Sequence, residues 1–520
     1  MVDDNEDSYS NENEHTPGGG GGGRGGGGGL IQFLPMLIGL IIRKPILLVV
    51  VLIGAAVMYF KGGCNLSQNQ ANAANYSTGG RLNKDSFAKA SVYEALDESK
   101  TDLPEAVSLL KFAPNRLNQG QQGSCVAWSS AYAARTILEA ASNGISGNKT
   151  AFSPSFMYNQ IGLEGCQGSY IIRAMENLTN VGAVPFNDFP YDDKDCSRQP
   201  NGTLIQEAGQ KRMLGFTRLT DDESTRALNI HAIKEHLSKD VPVVIGMMVG
   251  GSFMQNMAGK EVWHPTEEDY QQMGFGGHAM CVIGYDDRKE GGAFQIMNSW
   301  GNDWGQNGIG WVLYKDFKLF VREAYGLNPM PKQGAAIAQN LAINLGLVEA
   351  KTKQYIPLKT TGGNTFQTIS PIAKKTSFKI ELENNTPCYV YVIGMETDGS
   401  SYVLFPYPTK ENPAKTMFNP YCGITGYRLF PRGKKLEADE IGNQDFFAII
   451  TSKEALDVFA LNNAINQNKA MGFGNAVNAA IKRQSINGVQ FNAASNGTIG
   501  FTTSVGDKSA VACVIAIDKQ

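Results

Sequence analysis

Gln119-Gly120-Gln121-Gln122-Gly123-Ser124-Cys125-Val126-Ala127-Trp128 is the stretch on which the reading of this chain turns, and Ser129-Ser130-Ala131-Tyr132-Ala133-Ala134-Arg135 follows it. The first half is punctuated by glycine and does not suit a helix. The second half is small and apolar at helical spacing. The chain is therefore expected to enter a helix near Cys125, with the thiol at the helix N-terminus. Unpaired N–H groups and the helix dipole favour a thiolate there. A free thiol titrates at about 8.5, so a nucleophilic cysteine also needs a cationic partner.

Five histidines are available. His15, His231, His236 and His264 lie among polar or charged neighbours. His278 instead opens an apolar run, Gly276-Gly277-His278-Ala279-Met280-Cys281-Val282-Ile283-Gly284-Tyr285, that reads as a buried strand. A second strand follows in Phe294-Gln295-Ile296-Met297-Asn298 and ends at Ser299-Trp300-Gly301-Asn302-Asp303-Trp304-Gly305. A hairpin of the two strands would set His278 beside Asn298.

Together these stretches resemble the papain family of cysteine peptidases over about residues 103–328. The resemblance implies a two-lobed α+β fold with a cleft, and a hydrolase acting on peptide bonds. It implies Cys125 as nucleophile, His278 as general base and Asn298 as the group that orients the imidazole. Gln119, six positions before Cys125, matches the oxyanion-hole glutamine, and Trp300 is expected to shield the His–Asn pair. Thiolate and imidazolium would rest as an ion pair. Gly168, Ser169, Tyr170 and Ile171 resemble the strand that binds the substrate backbone, and Ala279 borders the same cleft. Ser169 stands where the family has glycine, so its side chain is expected to narrow the cleft. Cys166 and Cys196 are the candidate disulfide, since relatives carry disulfides in this region; two free thiols are the alternative. No cofactor and no metal are expected.

The 520-residue chain is long enough for two or three domains. Its net charge of −3 argues against nucleic acid as a partner. Residues 1–29 read as a disordered acidic and glycine-rich tail. Residues 30–61 read as a membrane segment: 30–42 and 46–60 are apolar, and Arg43-Lys44-Pro45 lies between them. A short span over 45–61 is expected, because a spanning helix needs about 20 residues. Arg24, Arg43 and Lys44 precede it and Lys61 follows, so the N-terminus should be cytoplasmic and the catalytic domain extracytoplasmic, periplasmic in a Gram-negative cell.

Residues 62–102 read as a linker with one short helix over 86–96, and 329–360 as a connector with some helix. Within the catalytic domain, helices are expected over 127–143, 168–181 and 221–239. The last part, 361–520, is expected to be mainly β, with a helical stretch over 453–483 broken near Gly472 and Gly474. It resembles an uncharacterised β-rich domain found beside bacterial peptidase domains, and it contains no histidine. It therefore reads as a binding module with a possible protein partner. The competing readings of the whole are a non-catalytic membrane-tethered peptide-binding scaffold, and an acyl transferase or amidase using the same dyad.

Overall fold

The computed structural model describes residues 76–332 and 340–520. The expected tail and membrane segment lie outside these residues. Among the described residues no helix is long and apolar enough to cross a membrane.

In the catalytic domain the chain enters a helix at Cys125 and stays helical to Asn143. The helix is α over Cys125–Ala127, π over Trp128–Arg135 and α again over Thr136–Asn143. Alanines and serines at 127–134 let it pass through the core with every residue buried. A π stretch widens a helix locally and is common at functional sites. Gly144, at φ 65°, closes the helix in the left-handed conformation that glycine adopts without strain.

The second lobe is an eight-stranded sheet. Gly276–Asp286 is its centre, between Val243–Val249 on one side and Ala293–Met297 on the other, with Ile309–Leu313 beyond. These strands are nearly continuous runs of Val, Ile, Met and Phe because both faces are covered. The register sets Met247 opposite His278 and Cys281 opposite Met297, so Asn298 lies one residue beyond the pairing. The helix expected over 168–181 begins later, at Ile171, because Ser169 is bridged to Gly80 and Tyr170 is extended. The helix expected over 221–239 is confined to Ile230–Ser238, capped by the Asn229 side chain.

The C-terminal domain holds two seven-stranded sheets. Their facing sides bury Leu341, Ile343, Leu345, Leu347, Phe378, Ile380, Val390, Val392, Ile449 and Ile515. The outer face of one sheet is covered by Val458–Gln467 and Phe473–Ala480, which break at Gly472 as expected. One expectation is corrected. In its described residues the stretch 329–360 is not a connector with helix, because Asn340–Glu349 is a central strand of this domain, hydrogen-bonded on both sides. Its alternating Leu341, Ile343, Leu345 and Leu347 are the period of a half-buried strand.

The 62–102 linker is also corrected where it is described. Residues 76–102 are ordered against both domains. The only α-helix there is Lys84–Ala88, capped by Asn83, and residues 91–96, expected to be helical, are extended.

Candidate active site

Four separate stretches meet at Cys125. The thiol sits in the first helical turn, fully buried, and its Sγ accepts a hydrogen bond from the Ala279 N–H at 3.4 Å. His278, next to Ala279, bonds through Nε2 to Asn298 Oδ1 at 2.8 Å. The Asn298 oxygen is itself held by the Ser299 N–H at 2.8 Å. The Trp300 ring stacks on the imidazole, with centroids 4.3 Å apart and planes 23° apart. Trp300 is 1% exposed and its ring covers the imidazole. His278 Nδ1 is buried and has no hydrogen-bond partner among the described residues.

Gln119 reaches the site from the loop before the helix. Its backbone N–H donates to Ser299 O at 2.8 Å, and its Oε1 accepts from Ser299 Oγ at 2.6 Å. The amide nitrogen Nε2 therefore points into the cleft, where it donates to Gln122 O at 2.9 Å and Ser77 O at 3.2 Å. Tyr191 closes the loop from below. Its hydroxyl donates to Gln119 O at 2.7 Å and lies 2.6 Å from Ser124 Oγ. Sequence reasoning missed both Ser299 and Tyr191. Ser299 lies inside the quoted Asn-Ser-Trp-Gly stretch, which could have pointed to it. Tyr191 carries no local signal beyond Phe189-Pro190.

The cleft is filled by the chain itself. Residues 76–82 run through it as an extended strap, and Gly80 pairs in parallel with Ser169. Ser169 N–H donates to Gly79 O and Ser169 O accepts from Arg81 N, both at 2.9 Å. Gly80 N donates to Gly277 O at 3.0 Å. Tyr76 stacks on Trp300 at 4.6 Å, and Ser77 O accepts from Trp300 Nε1 at 2.9 Å. The strap can lie this deep because Gly79 and Gly80 have no side chains: a Cβ on Gly79 would stand 2.0 Å from Gly123 O. Leu82 lies in a pocket bordered by Ile171, Gly246, Gly277 and Glu323. Asn83 N then donates to Glu323 Oε1 at 2.8 Å. Ser169 uses both its backbone groups, as the substrate-strand reading requires. Its side chain, however, bonds Ile161 O at 2.9 Å and is buried, so it does not narrow the cleft.

Occlusion sets the electrostatics. Burial pushes the Cys125 thiol up to about 11, with the N–H groups of Ala279, Gly79, Val126 and Gly80 acting against it. Burial pushes His278 down to about 4, with the Asn298 bond acting the other way. Both shifts run against a thiolate–imidazolium pair in this state, because burial disfavours separated charge. Cys166 and Cys196 are joined by a disulfide, as the resemblance implied. Ile171, the first residue of the helix Ile171–Asn180, borders the Leu82 pocket, and Tyr170 is that helix's N-cap residue.

Residues 110–319 match the family model described as papain family cysteine protease. This segment belongs to that family. The chain is a cysteine-type peptidase, a hydrolase. Its papain-family domain is 29% identical over 222 residues to an uncharacterized peptidase C1-like protein of Acanthamoeba polyphaga mimivirus, covering 41% of this chain and 68% of that one. It is 27% identical over 229 residues to a cathepsin B-like protein of Giardia intestinalis, covering 42% and 72%. Cathepsin K of Gallus gallus is 29% identical over 195 residues, covering 37% of this chain and 52% of that one. Among solved structures, xylellain, a cysteine protease from Xylella fastidiosa, aligns with a TM-score of 0.40 at 23% identity, over 49% of this chain and 96% of that one.

Proposed function

We propose that this chain is a membrane-anchored cysteine peptidase in which Cys125, His278, Asn298 and Gln119 perform the chemistry. The observation that carries the reading is the unpartnered Nδ1 of His278, buried on the ring whose Nε2 is tied to Asn298, beside the Ala279 N–H that reaches the Cys125 sulfur. A ring held by Nε2 leaves Nδ1 free to take the thiol proton. The thiolate attacks the peptide carbonyl carbon and the tetrahedral oxyanion forms. Gln119 Nε2 and the Cys125 backbone N–H stabilise that oxygen, each such donor being worth roughly 10²–10³ in rate. His278 passes its proton to the departing amine, leaving a thioester, then activates water to release the acid and restore the thiol.

Substrate binds along Gly168, Ser169, Tyr170 and Ile171, with Ala279 beside the nucleophile. The pocket now holding Leu82 takes an apolar side chain, because Ile171 and two glycines border it. Burying a leucine there contributes about 1.5–3 kcal/mol. The anchor is the apolar segment around 45–61, with the catalytic domain outside the cytoplasm.

Cys125→Ala in the full chain tests the chemistry. Peptide cleavage is expected to vanish while the melting transition stays intact. Undiminished turnover would overturn the assignment.

A further inference from the structure

The strap that fills the cleft continues into the seam between the two domains. After the helix Lys84–Ala88, residues 91–97 run extended, and the backbone of Val92 and its neighbours is hydrogen-bonded on both edges. On the catalytic side, Arg218 N donates to Ser91 O at 2.9 Å and Tyr93 N donates to Arg218 O at 3.1 Å. On the C-terminal side, Val92 N donates to Met417 O at 2.7 Å and Asn419 N donates to Val92 O at 2.9 Å. The side chains divide in the same way. Val92 belongs to the core of the C-terminal domain, whereas Phe87, Tyr93 and Leu96 belong to the catalytic core.

Arg428, from the strand Gly426–Phe430 of the C-terminal domain, fastens this seam. It is fully buried. Its Nε donates to Glu94 O at 3.0 Å and its Nη2 approaches Tyr93 Oη at 3.4 Å, while Nη1 is held by Asn384 Oδ1 at 2.6 Å. Tyr93 Oη in turn donates to Glu235 Oε2 at 2.9 Å, in the catalytic domain. Tyr407 donates to Glu94 Oε1 at 3.3 Å, and Asp97 N donates to Tyr427 O at 2.7 Å. Buried, charge-assisted bonds of this kind are costly to break singly.

We propose that the C-terminal domain is the lock on the cleft: it holds the strap at 91–97, and the peptidase becomes active when that hold is loosened. The strap itself is an occupant and not a substrate. It runs parallel to Ser169, with its Gly79 carbonyl taken by the Ser169 N–H and its Gly80 N–H by Gly277 O. In the cleft the strap is held by backbone bonds, the Tyr76–Trp300 stack and the half-buried Leu82, whereas the seam adds the fully buried Arg428 and its charge-assisted bonds. Release is therefore a displacement transmitted from the second domain. This rests on the reading of Cys125 as the nucleophile.

The test uses the full chain and a peptidyl epoxide that alkylates an active-site thiolate, with labelling of Cys125 read by mass spectrometry. Gly79→Ala, whose Cβ cannot fit against Gly123, is expected to expel the strap and speed labelling at least about tenfold, as the loss of about 1.4 kcal/mol of occlusion would. Arg428→Gln is expected to speed it similarly with the cleft sequence untouched. Tyr93→Phe, which removes one hydroxyl and is the safer variant for folding, should fall between. An unfolded thiol does not gain reactivity toward a peptidyl epoxide, so unfolding cannot mimic the gain. Fast labelling of Gly79→Ala with Arg428→Gln and Tyr93→Phe at the wild-type rate would overturn the lock while leaving the nucleophile standing. Wild type labelled as fast as Gly79→Ala would overturn occlusion itself. No labelling of Cys125 in any variant would sink the nucleophile reading and the lock together.

Discussion

The Nε2 of His278 lies 2.8 Å from Oδ1 of Asn298, and this bond decides which ring nitrogen carries the proton. The bond is buried beneath Trp300, whose stacking leaves the ring one orientation. Because Nε2 is the donor, Nδ1 is the basic nitrogen in the neutral ring, and it has no hydrogen-bond partner among the described residues.

Asn298→Ala should therefore leave the nucleophile in place and misorient its base. In a strap-released background such as Gly79→Ala, kcat is expected to fall roughly 10²-fold, the lower end of what a positioned acid–base group contributes, with KM little changed. Steady-state kinetics on one peptide substrate checks this. A change confined to KM would contradict it.

Gln119→Ala should cost roughly 10²–10³ in kcat through loss of one oxyanion donor. Ser299→Ala should cost less. It removes only the 2.6 Å bond that turns the Gln119 amide, so Nε2 still reaches the cleft part of the time. Equal losses in the two variants would show that Gln119 acts by packing and not by donation.

Glu323 gives a pH signature. Burial raises its carboxyl to about 7, with the Asn83 N–H and the Tyr325 hydroxyl acting against the shift. The folded chain therefore binds this proton more tightly than the unfolded chain, whose carboxyl titrates near 4.3. Stability from this group is present below the unfolded value and is lost as pH rises through about 7. The loss is on the order of 3 kcal/mol when complete. Glu323→Gln should remove that slope: its Tm relative to wild type is expected to rise between pH 5 and pH 8. A constant difference across that range would count against a protonated Glu323.

The disulfide between Cys166 and Cys196 closes a loop with a sequence separation of 30. Chain-entropy arguments give such a loop about 3–4 kcal/mol of stabilisation. Cys196→Ala, with its partner left as a free thiol, should lower the denaturation midpoint by a matching amount. No change in the midpoint between oxidised wild type and the variant would contradict it.

Much of the papain-family domain is legible in the chain because its chemistry is local. Cys125 announces itself by the change from glycine-rich loop to small-residue helix, and His278 and Asn298 by the ends of two apolar runs. The mainly β character of 361–520 is legible because strands such as Ser377–Asn384 and Cys388–Met395 alternate or are continuously apolar. Where the reading failed, long-range contact had overridden local pattern. Residues 91–96 have helix-forming composition, yet Val92 is drawn into strand pairing with Met417 and Asn419. The stretch 340–349 looked like a connector because its strand partners lie at 377–384 and 499–504.

The residue types of the proposed site, their order and the family match of 110–319 are legible in the sequence, since a nucleophile, a base and an orienting amide must be particular side chains whatever surrounds them. The state of the site was decided by tertiary structure alone. Gly79 and Gly80 look like spacer residues until the fold lays them against Gly123 and His278. Only then does burial raise the thiol and lower the imidazole. A pKa and an occluded cleft both depend on what lies within a few ångströms in space, and the groups that lie there are supplied by residues far apart along the chain.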